Sequence, residues 1–175
     1  MELNTLLIPT FVQMLESLSA QLDKAAAYAA ERGFPSATLL EARLAPDMFP
    51  LAAQVAFVCT QAREVVLRLT GQPTIGTLPP CASLEECKTQ IAATIEFLRS
   101  TSVADFECSD GRSIDLVMPN GVTFTMRGWE FARDWALPQF YFHHVTAYAI
   151  MRNTGVALGK PDYVAHMLGY LRNGG

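Results

Sequence analysis

The apolar residues at the start of the chain recur at the spacing of one helix face. Between residues 9 and 32 the steps are four, three, four, three and four, at Phe11, Leu15, Leu18, Leu22, Ala25 and Ala29. This period is typical of a bundle helix rather than a strand. Pro9 suits the first turn, where its missing N–H costs nothing, and Gly33 followed by Pro35 is a stop signal. We therefore predict a helix over residues 9–32.

The second apolar stretch has the same alternation of steps of three and four. Its repeating positions are Met48, Leu51, Val55, Val58, Ala62, Val65 and Leu69. Asp47 suits the N-cap, because its carboxylate can accept from the unpaired N–H groups of a first turn. Pro50 is tolerated in that turn, and Gly71 ends the pattern. This predicts a second helix over residues 47–70.

A capping box marks the third helix. Ser83 and Glu86 have the S-x-x-E spacing in which each side chain accepts from a backbone N–H group near the helix start. A buried stripe follows at Leu84, Cys87, Ile91, Ile95 and Leu98. The pattern predicts a helix over residues 83–100.

The period then changes from helical to alternating. Ile114, Leu116 and Met118 precede the turn Pro119-Asn120-Gly121, and Val122, Phe124 and Met126 follow it. Period two around Asn-Gly is the strongest short-range signal for a β-hairpin. We predict a hairpin over residues 113–127 and expect its apolar face to pack on the helices, because an isolated hairpin is marginally stable.

The stretch from Gly128 to Asn153 concentrates unusual side chains. It contains both tryptophans, two of the five tyrosines and two of the three histidines. Pro138 lies in its middle and removes one backbone donor, which should free the carbonyl of Asp134 and produce a kink. We predict a fourth helix over residues 129–153 and expect it to supply much of any chemical site.

Four long amphipathic segments joined by loops predict an all-α fold, an antiparallel four-helix bundle. The small hairpin is inserted between helices three and four. A length of 175 residues favours a single domain over residues 1–175. The tail, residues 156–175, is only weakly helical, which leaves open whether it packs on the bundle or extends to a partner.

Composition excludes several classes of protein. Half of the residues are apolar and 17% are charged, which argues against disorder. The net charge is -4, without a cluster of Lys and Arg, so no nucleic-acid partner is expected. The apolar run of residues 49–59 is too short to cross a bilayer, and the N-terminus lacks a signal-peptide pattern. Four cysteines without C-x-x-C spacing indicate a reducing compartment, so we predict a cytoplasmic protein with no membrane partner.

Two segments, together with the hairpin before a histidine-bearing helix, resemble the DinB-like (YfiT-like) superfamily. They are RLAPDMFPL (residues 43–51) and ALPQFYFHHVTAYAIMRNTGV (residues 136–156), which look like a bacterial family of domains of unknown function within it. The resemblance covers nearly the whole chain and implies a DinB-like four-helix bundle. It also implies a divalent metal, often zinc or nickel, held by one histidine near the start of helix two and an H-x-x-x-H pair on helix four. Characterised relatives include metal-dependent thiol transferases, an isomerase and hydrolases.

Residue by residue, only part of that ligand set is present. Aligning the end of helix four through Arg152 and Gly155 places His143 on the second histidine of the pair, and Gln139 stands four residues earlier in place of the first. No histidine lies near the start of helix two, where Asp47 is the nearest potential ligand. The candidate pocket or weak metal site is therefore Asp47, Gln139 and His143, without the three-histidine set.

Each candidate also has a structural interpretation. His143 is either a ligand or general base between helices two and four, or a core histidine whose tautomer is fixed by a hydrogen bond. Asp47 is an N-cap or a pocket acid, and Gln139 contacts a ligand or joins a buried polar network. His144 is about 100° around the helix from His143, so we assign it to the surface or an interface. His166 is assigned no role.

Two functions of different classes remain open. The missing histidines favour a non-catalytic module that binds a small ligand or dimerises, with a degenerate metal site. The alternative is a divalent-metal-dependent enzyme, a thiol transferase or hydrolase-like, with an altered Asp/Gln/His site. A homodimer is expected because one helix face cannot bury all the aromatic residues of helix four. These are Trp129, Trp135, Phe140, Tyr141, Phe142 and Tyr148.

Overall fold

The structure is a computed structural model that describes residues 2–172. Its helices are α1 (Leu3–Arg32), α2 (Ala37–Glu41), α3 (Leu51–Thr70), α4 (Leu84–Ser100), α5 (Gly128–Glu130), α6 (Leu137–Asn153) and α7 (Lys160–Tyr163). The strands are β1 (Ser113–Val117) and β2 (Thr123–Arg127), which lie between α4 and α5. The predicted all-α bundle with an inserted hairpin is confirmed, with α1, α3, α4 and α6 as its long helices. Within residues 2–172 no helix combines the length and apolar character needed to span a membrane.

The core lies where α3 packs against both α4 and α6, and α1 closes the bundle against α4. Its largest fully buried side chains come from all four long helices, among them Phe11, Leu69, Leu98 and Phe140. Complete burial of such a side chain contributes about 1.5–3 kcal/mol relative to leaving it in water. The helical stripes read from the sequence are therefore the faces that form this core.

Helix α1 begins at Leu3, so the predicted start at residue 9 is wrong. Pro9 lies inside the helix, where it cannot donate to the carbonyl of Thr5. The helix nevertheless continues towards the N-terminus because the buried stripe does so: Leu7 is fully buried, one turn before Phe11. Core packing outweighs the lost hydrogen bond. The C-terminus agrees with the prediction, with Gly33 in the left-handed conformation.

Helix α3 begins at Leu51 with Pro50 as its N-cap residue, so Asp47 is not the N-cap. Asp47 lies instead in an exposed turn between α2 and α3. The residue before a proline is disfavoured in helical conformation, and Phe49 accordingly lies outside the helix. The end of the helix at Thr70, capped by Gly71, is as predicted.

The capping box of α4 is present with one difference in detail. Ser83 Oγ accepts from the Glu86 backbone N–H at 3.0 Å, as predicted. The Glu86 carboxylate reaches past the N-cap and accepts from the backbone N–H of Ala82 at 2.7 Å. The two bonds therefore tie Ala82 and Ser83, the residues that lead into α4, to Glu86 in its first turn.

The hairpin forms around the predicted turn, but only its inner end packs on the bundle. Antiparallel pairing runs from Ser113 opposite Arg127 to Val117 opposite Thr123. Ile114 is 4% exposed and belongs to the core, whereas Phe124 near the tip is 48% exposed. The expectation that the whole apolar face is covered is therefore wrong. The hairpin extends outward beyond the helices that it touches.

The predicted fourth helix is divided by a wide turn. A π-helical segment, Phe131–Ala136, joins α5 to α6, which then runs to Asn153 as predicted. Pro138 follows this segment directly and cannot donate to the carbonyl four residues earlier. The chain accommodates it by widening the preceding turn, as is common for π-bulges. A π segment therefore replaces the simple kink predicted at Pro138.

The tail packs on the bundle as far as it is described. Helix α7 lies against α1 and is followed by a 3₁₀ segment, Ala165–Tyr170. Ser17 Oγ donates to the carbonyls of Asp162 and Tyr163, at 2.7 and 2.9 Å. Lys24 pairs with the Asp162 carboxylate at 2.6 Å. Of the two possibilities left open by the sequence, docking on the bundle is the one observed.

Candidate functional site

A buried amide on α3 meets a histidine on α6. Gln54 lies in the first turn of α3, is 2% exposed, and its Oε1 lies 2.9 Å from Nδ1 of His143. The Gln54 Nε2 group donates to the backbone carbonyl of Phe49 at 3.2 Å. Because that donation uses the amide nitrogen, the amide oxygen faces the histidine. Nδ1 of His143 therefore carries the proton and donates to Gln54.

Aromatic rings surround this pair. The imidazole of His143 is 4.8 Å from the ring of Phe57 and 5.3 Å from the ring of Phe142, measured between ring centroids. Phe49 packs edge-on against Phe57 at 5.0 Å. We call Phe49, Phe57, Phe142 and His143 the His143 patch.

His143 is neutral at physiological pH. Burial lowers the pKa of its imidazole from 6.5 to about 4, because removal from water disfavours the charged form. Its Nδ1 is used by Gln54, while Nε2 has no hydrogen-bond partner within residues 2–172 and is not shielded from solvent. The patch therefore presents one neutral acceptor atom among aromatic rings.

The other two predicted site residues make no hydrogen bond to His143. Asp47 is exposed in the turn before α3, and Gln139 is half-buried on α6, one turn before His143. That all three residues form a pocket or a weak metal site stays a prediction.

Sequence reasoning missed Gln54, the residue that contacts His143. A signal was available, since Gln54 is the single polar residue in the apolar run of residues 49–59 that is not a hydroxyl or thiol. It stands at the start of the second long helix, where the DinB resemblance implies a histidine. A buried amide there requires a partner, and the partner is His143.

His144 is fully buried, so its assignment to the surface or an interface is wrong. Its Nε2 donates to the backbone carbonyl of Met14 at 2.8 Å, and Tyr163 covers the ring edge-on at 4.9 Å. The 100° rotation from His143 turns His144 towards α1, and the docked tail closes that side. The expectation that the two histidines face different surroundings is correct.

The donor atoms of this region do not fit the zinc or nickel centre that the superfamily implies. Such an ion takes three or four nitrogen, sulfur or carboxylate donors. Within residues 2–172 no three His, Cys, Asp or Glu side chains come together to hold one. The Gln54 oxygen is already used by His143, so this pair offers an ion only Nε2 of the imidazole. The groups available for chemistry at this site are therefore the His143 imidazole, the Gln54 amide and the surrounding aromatic rings.

A separate cavity contains none of the predicted site residues. Its volume is about 460 Å³, and it is formed by the start of α1 and the loop before β1. Glu2, Asn4, Glu107 and Asp110 supply its polar lining. The His143 patch is instead a shallow surface site between α3 and α6.

A charge placed on residue 54 should raise the pKa of His143. We expect Gln54→Glu to shift it upward from about 4 by at least a unit, because an anion within hydrogen-bond distance favours the imidazolium. The shift would be measured by NMR titration of the histidine side-chain signals. Gln139→Glu is the matched control, since Gln139 makes no hydrogen bond to His143, and it should produce a smaller shift. Equal shifts in both variants would contradict the Gln54–His143 contact.

Comparison with known proteins places the chain in a family. The model of the family described as "Domain of unknown function (DUF1993)" matches residues 3–164. A crystal structure of a DinB family member protein from Shewanella denitrificans is similar, with a TM-score of 0.82 and 37% sequence identity. The match covers 93% of this chain and 91% of that chain. No curated protein matches. The predicted DinB-like resemblance is confirmed, and the chain belongs to the DUF1993 family of unknown function, with a DinB-like fold.

Proposed function

We propose that this protein is a non-catalytic binding module with a degenerate metal site, and that the His143 patch is its binding surface. The observation that carries the proposal is the hydrogen bond from His143 to Gln54. A metal-ligating histidine usually donates its second nitrogen to an outer carboxylate or carbonyl, while several ligands share the ion. Here the amide at the expected ligand position itself accepts the hydrogen bond from Nδ1–H of His143.

The electrostatics of the pair also favour binding over catalysis. A general base works best when its pKa is near the operating pH, whereas burial lowers the pKa of His143 to about 4. Within residues 2–172 no carboxylate, thiol or hydroxyl group makes a hydrogen bond to His143. The imidazole therefore has neither the basicity nor the neighbouring group that a nucleophile–base pair needs.

The exposed aromatic side chains of the His143 patch favour a second copy of the chain as its binding partner. Phe49 is 60% exposed and Phe142 is 58% exposed, and Val145, one turn after Phe142, is 47% exposed. These residues lie on or next to α3 and α6, and the two helices pack against each other. The surface is therefore already ordered, and association has a small cost in conformational entropy. Aromatic anchors on a rigid surface are typical of the centres of protein interfaces.

The proposal predicts a homodimer that depends on Phe142. We expect wild-type protein to elute as a dimer in size-exclusion chromatography with light scattering, and Phe142→Asp to elute as a monomer, because the new charge would be buried at the interface. Val117→Asp is the matched control: Val117 is equally apolar, 67% exposed, and lies on the hairpin. That variant should remain dimeric.

Other outcomes distinguish the alternatives. A monomeric wild type would exclude the second copy, and a small ligand would then be sought through shifts of the His143 NMR signals, since the free Nε2 can accept one hydrogen bond.

Metal content of untagged protein, measured beside His143→Ala, tests the whole proposal. Near-stoichiometric zinc, nickel, manganese or iron that is lost in the variant would overturn it in favour of a metal-dependent enzyme with an Asp47, Gln139 and His143 site.

A further inference from the structure

The cavity between the start of α1 and the loop before β1 has an acidic lining. Glu2, Glu107 and Asp110 line it, and no Lys, Arg or His is among the lining residues that the structure describes. Within residues 2–172 none of these three carboxylates forms an ion pair. They are therefore available to pair with a bound cation.

The start of α1 contributes a smaller charge of the opposite sign. The unpaired N–H groups at a helix N-terminus correspond to about half of a positive elementary charge. The side chain of the N-cap residue, Glu2, makes no capping hydrogen bond there. Because the three carboxylates carry a formal charge of -1 each, they outweigh the helix end. The potential in the cavity is therefore negative and favours a cation over an anion.

A buried amide in the same cavity has no partner. Asn4, in the first turn of α1, lines the cavity and is only 9% exposed. Its Oδ1 is shielded from water and makes no hydrogen bond within residues 2–172. Buried polar atoms are rarely left in this state. Since Oδ1 has no bond to lose and χ2 of asparagine is a soft torsion, the amide can turn its oxygen towards a donor in the cavity.

The remaining lining favours an organic cation over a metal ion. Leu3, Val103 and Phe106 supply apolar surface, and the side chain of Val103 is 57% exposed. Within the described residues no three acidic side chains come together to hold a metal ion. The carboxylates instead surround a volume of about 460 Å³, which is the size of a site for a small organic molecule.

We propose that this cavity binds small organic amines, in which a protonated amino group is attached to a short alkyl chain. The ammonium group pairs with Glu107 and Asp110 and donates a hydrogen bond to Oδ1 of Asn4. The alkyl chain covers Val103 and Phe106. No residue of the His143 patch lines this cavity, so the site is independent of the binding surface proposed above.

The test is an NMR titration of the protein with pentylamine. We expect the side-chain amide signals of Asn4 and the backbone signals of residues 103–110 to shift and to reach saturation. Pentan-1-ol and pentanoate have the same alkyl chain with a neutral or a negative group, and they should produce no saturable shift of these signals. The absence of a saturable shift with pentylamine in the millimolar range, or equal shifts with pentan-1-ol, would overturn the proposal.

Charge variants show whether the attraction is local. Glu107→Gln combined with Asp110→Asn should raise the Kd for pentylamine about tenfold or more, because two charged acceptors become neutral. Glu31→Gln combined with Glu41→Gln is the matched control, since both residues are exposed and lie outside the cavity. It changes the net charge by the same amount and should bind pentylamine like the wild type, because salt screens distant charges. Equal weakening in both double variants would overturn the assignment of the cavity.

Asn4→Leu separates binding from folding. Leucine has a similar size but cannot accept a hydrogen bond. Because Oδ1 of Asn4 has no partner to lose, we expect the variant to unfold at the same urea concentration as the wild type or at a higher one. Its Kd for pentylamine should nevertheless rise by about tenfold. A variant that bound pentylamine as tightly as the wild type would refute the role of the Asn4 amide.

Discussion

Replacement of Gly128 by alanine should be the most damaging single change, with an expected loss of about 3 kcal/mol or more in the free energy of unfolding. Gly128 is buried where β2 meets α5, and a Cβ atom there would collide with the carbonyl of Ser109. It would also lie 3.0 Å from Cδ2 of Leu69. Because the Gly128 N–H donates to the carbonyl of Arg112 at 2.8 Å, the backbone cannot retreat without losing that bond. Urea denaturation gives the change directly.

Gly111→Ala is the matched control for this prediction. Gly111 lies in the loop that contains Ser109, its backbone is not in the left-handed conformation, and a Cβ there would meet nothing within 4 Å. We expect its unfolding free energy to stay within about 0.5 kcal/mol of the wild type. If Gly128→Ala unfolded at the same urea concentration as Gly111→Ala, the close contact between β2, α5 and the preceding loop would be refuted.

The second large effect is a loss of stability in mild acid that is caused by His144. Burial lowers the pKa of His144 from 6.5 to about 4 in the folded protein. The unfolded chain therefore binds more protons between these pH values, so stability rises with pH across this window and falls as the pH is lowered through it. At roughly 1.4 kcal/mol per pKa unit, the unfolding free energy should decrease by about 3 kcal/mol between pH 6.5 and pH 4.

His144→Gln isolates this contribution from the titration of carboxylates. Glutamine cannot take up the proton, so the variant should lose less stability than the wild type over the same pH interval, whatever its stability at pH 7. His143→Gln should show a smaller difference, because solvent screens the half-buried His143 more than the fully buried His144. Parallel pH profiles for wild type and His144→Gln would show that the imidazole of His144 ionises freely in the folded protein.

Local sequence signals were sufficient for most of the fold. The steps of three and four place the buried stripes of α1, α3 and α4 on the core, and the alternation around Asn120-Gly121 predicts the hairpin. Gly33, Gly71 and the Ser83 capping box mark the helix boundaries that they were expected to mark. These features depend on interactions within a few residues, which is why they can be read from the chain alone.

The candidate site could be predicted only in part. The DinB-like resemblance predicts His143 as a site residue, and the structure places it beside Gln54, 89 residues earlier in the chain. Asp47 is the potential ligand nearest in sequence to the expected position, but α3 begins only after Pro50 and leaves Asp47 in the preceding turn. Proximity in sequence therefore suggested Asp47, whereas the residue that contacts His143 in the folded chain is Gln54.

The sequence by itself determined which faces of the helices are apolar and where most of the helices end. It also determined that the three histidines of a DinB-like metal site are absent. Tertiary structure alone decided which histidine is buried. Helical geometry predicts that His143 and His144 point in different directions, but not which direction meets α1 and the docked tail. That choice is made by the packing of α6 between α3 and α1, together with the bonds from Ser17 and Lys24 that seat α7. The bonds of Ser17 and Lys24 to Asp162 join residues 145 and 138 positions apart, so no local pattern can specify them.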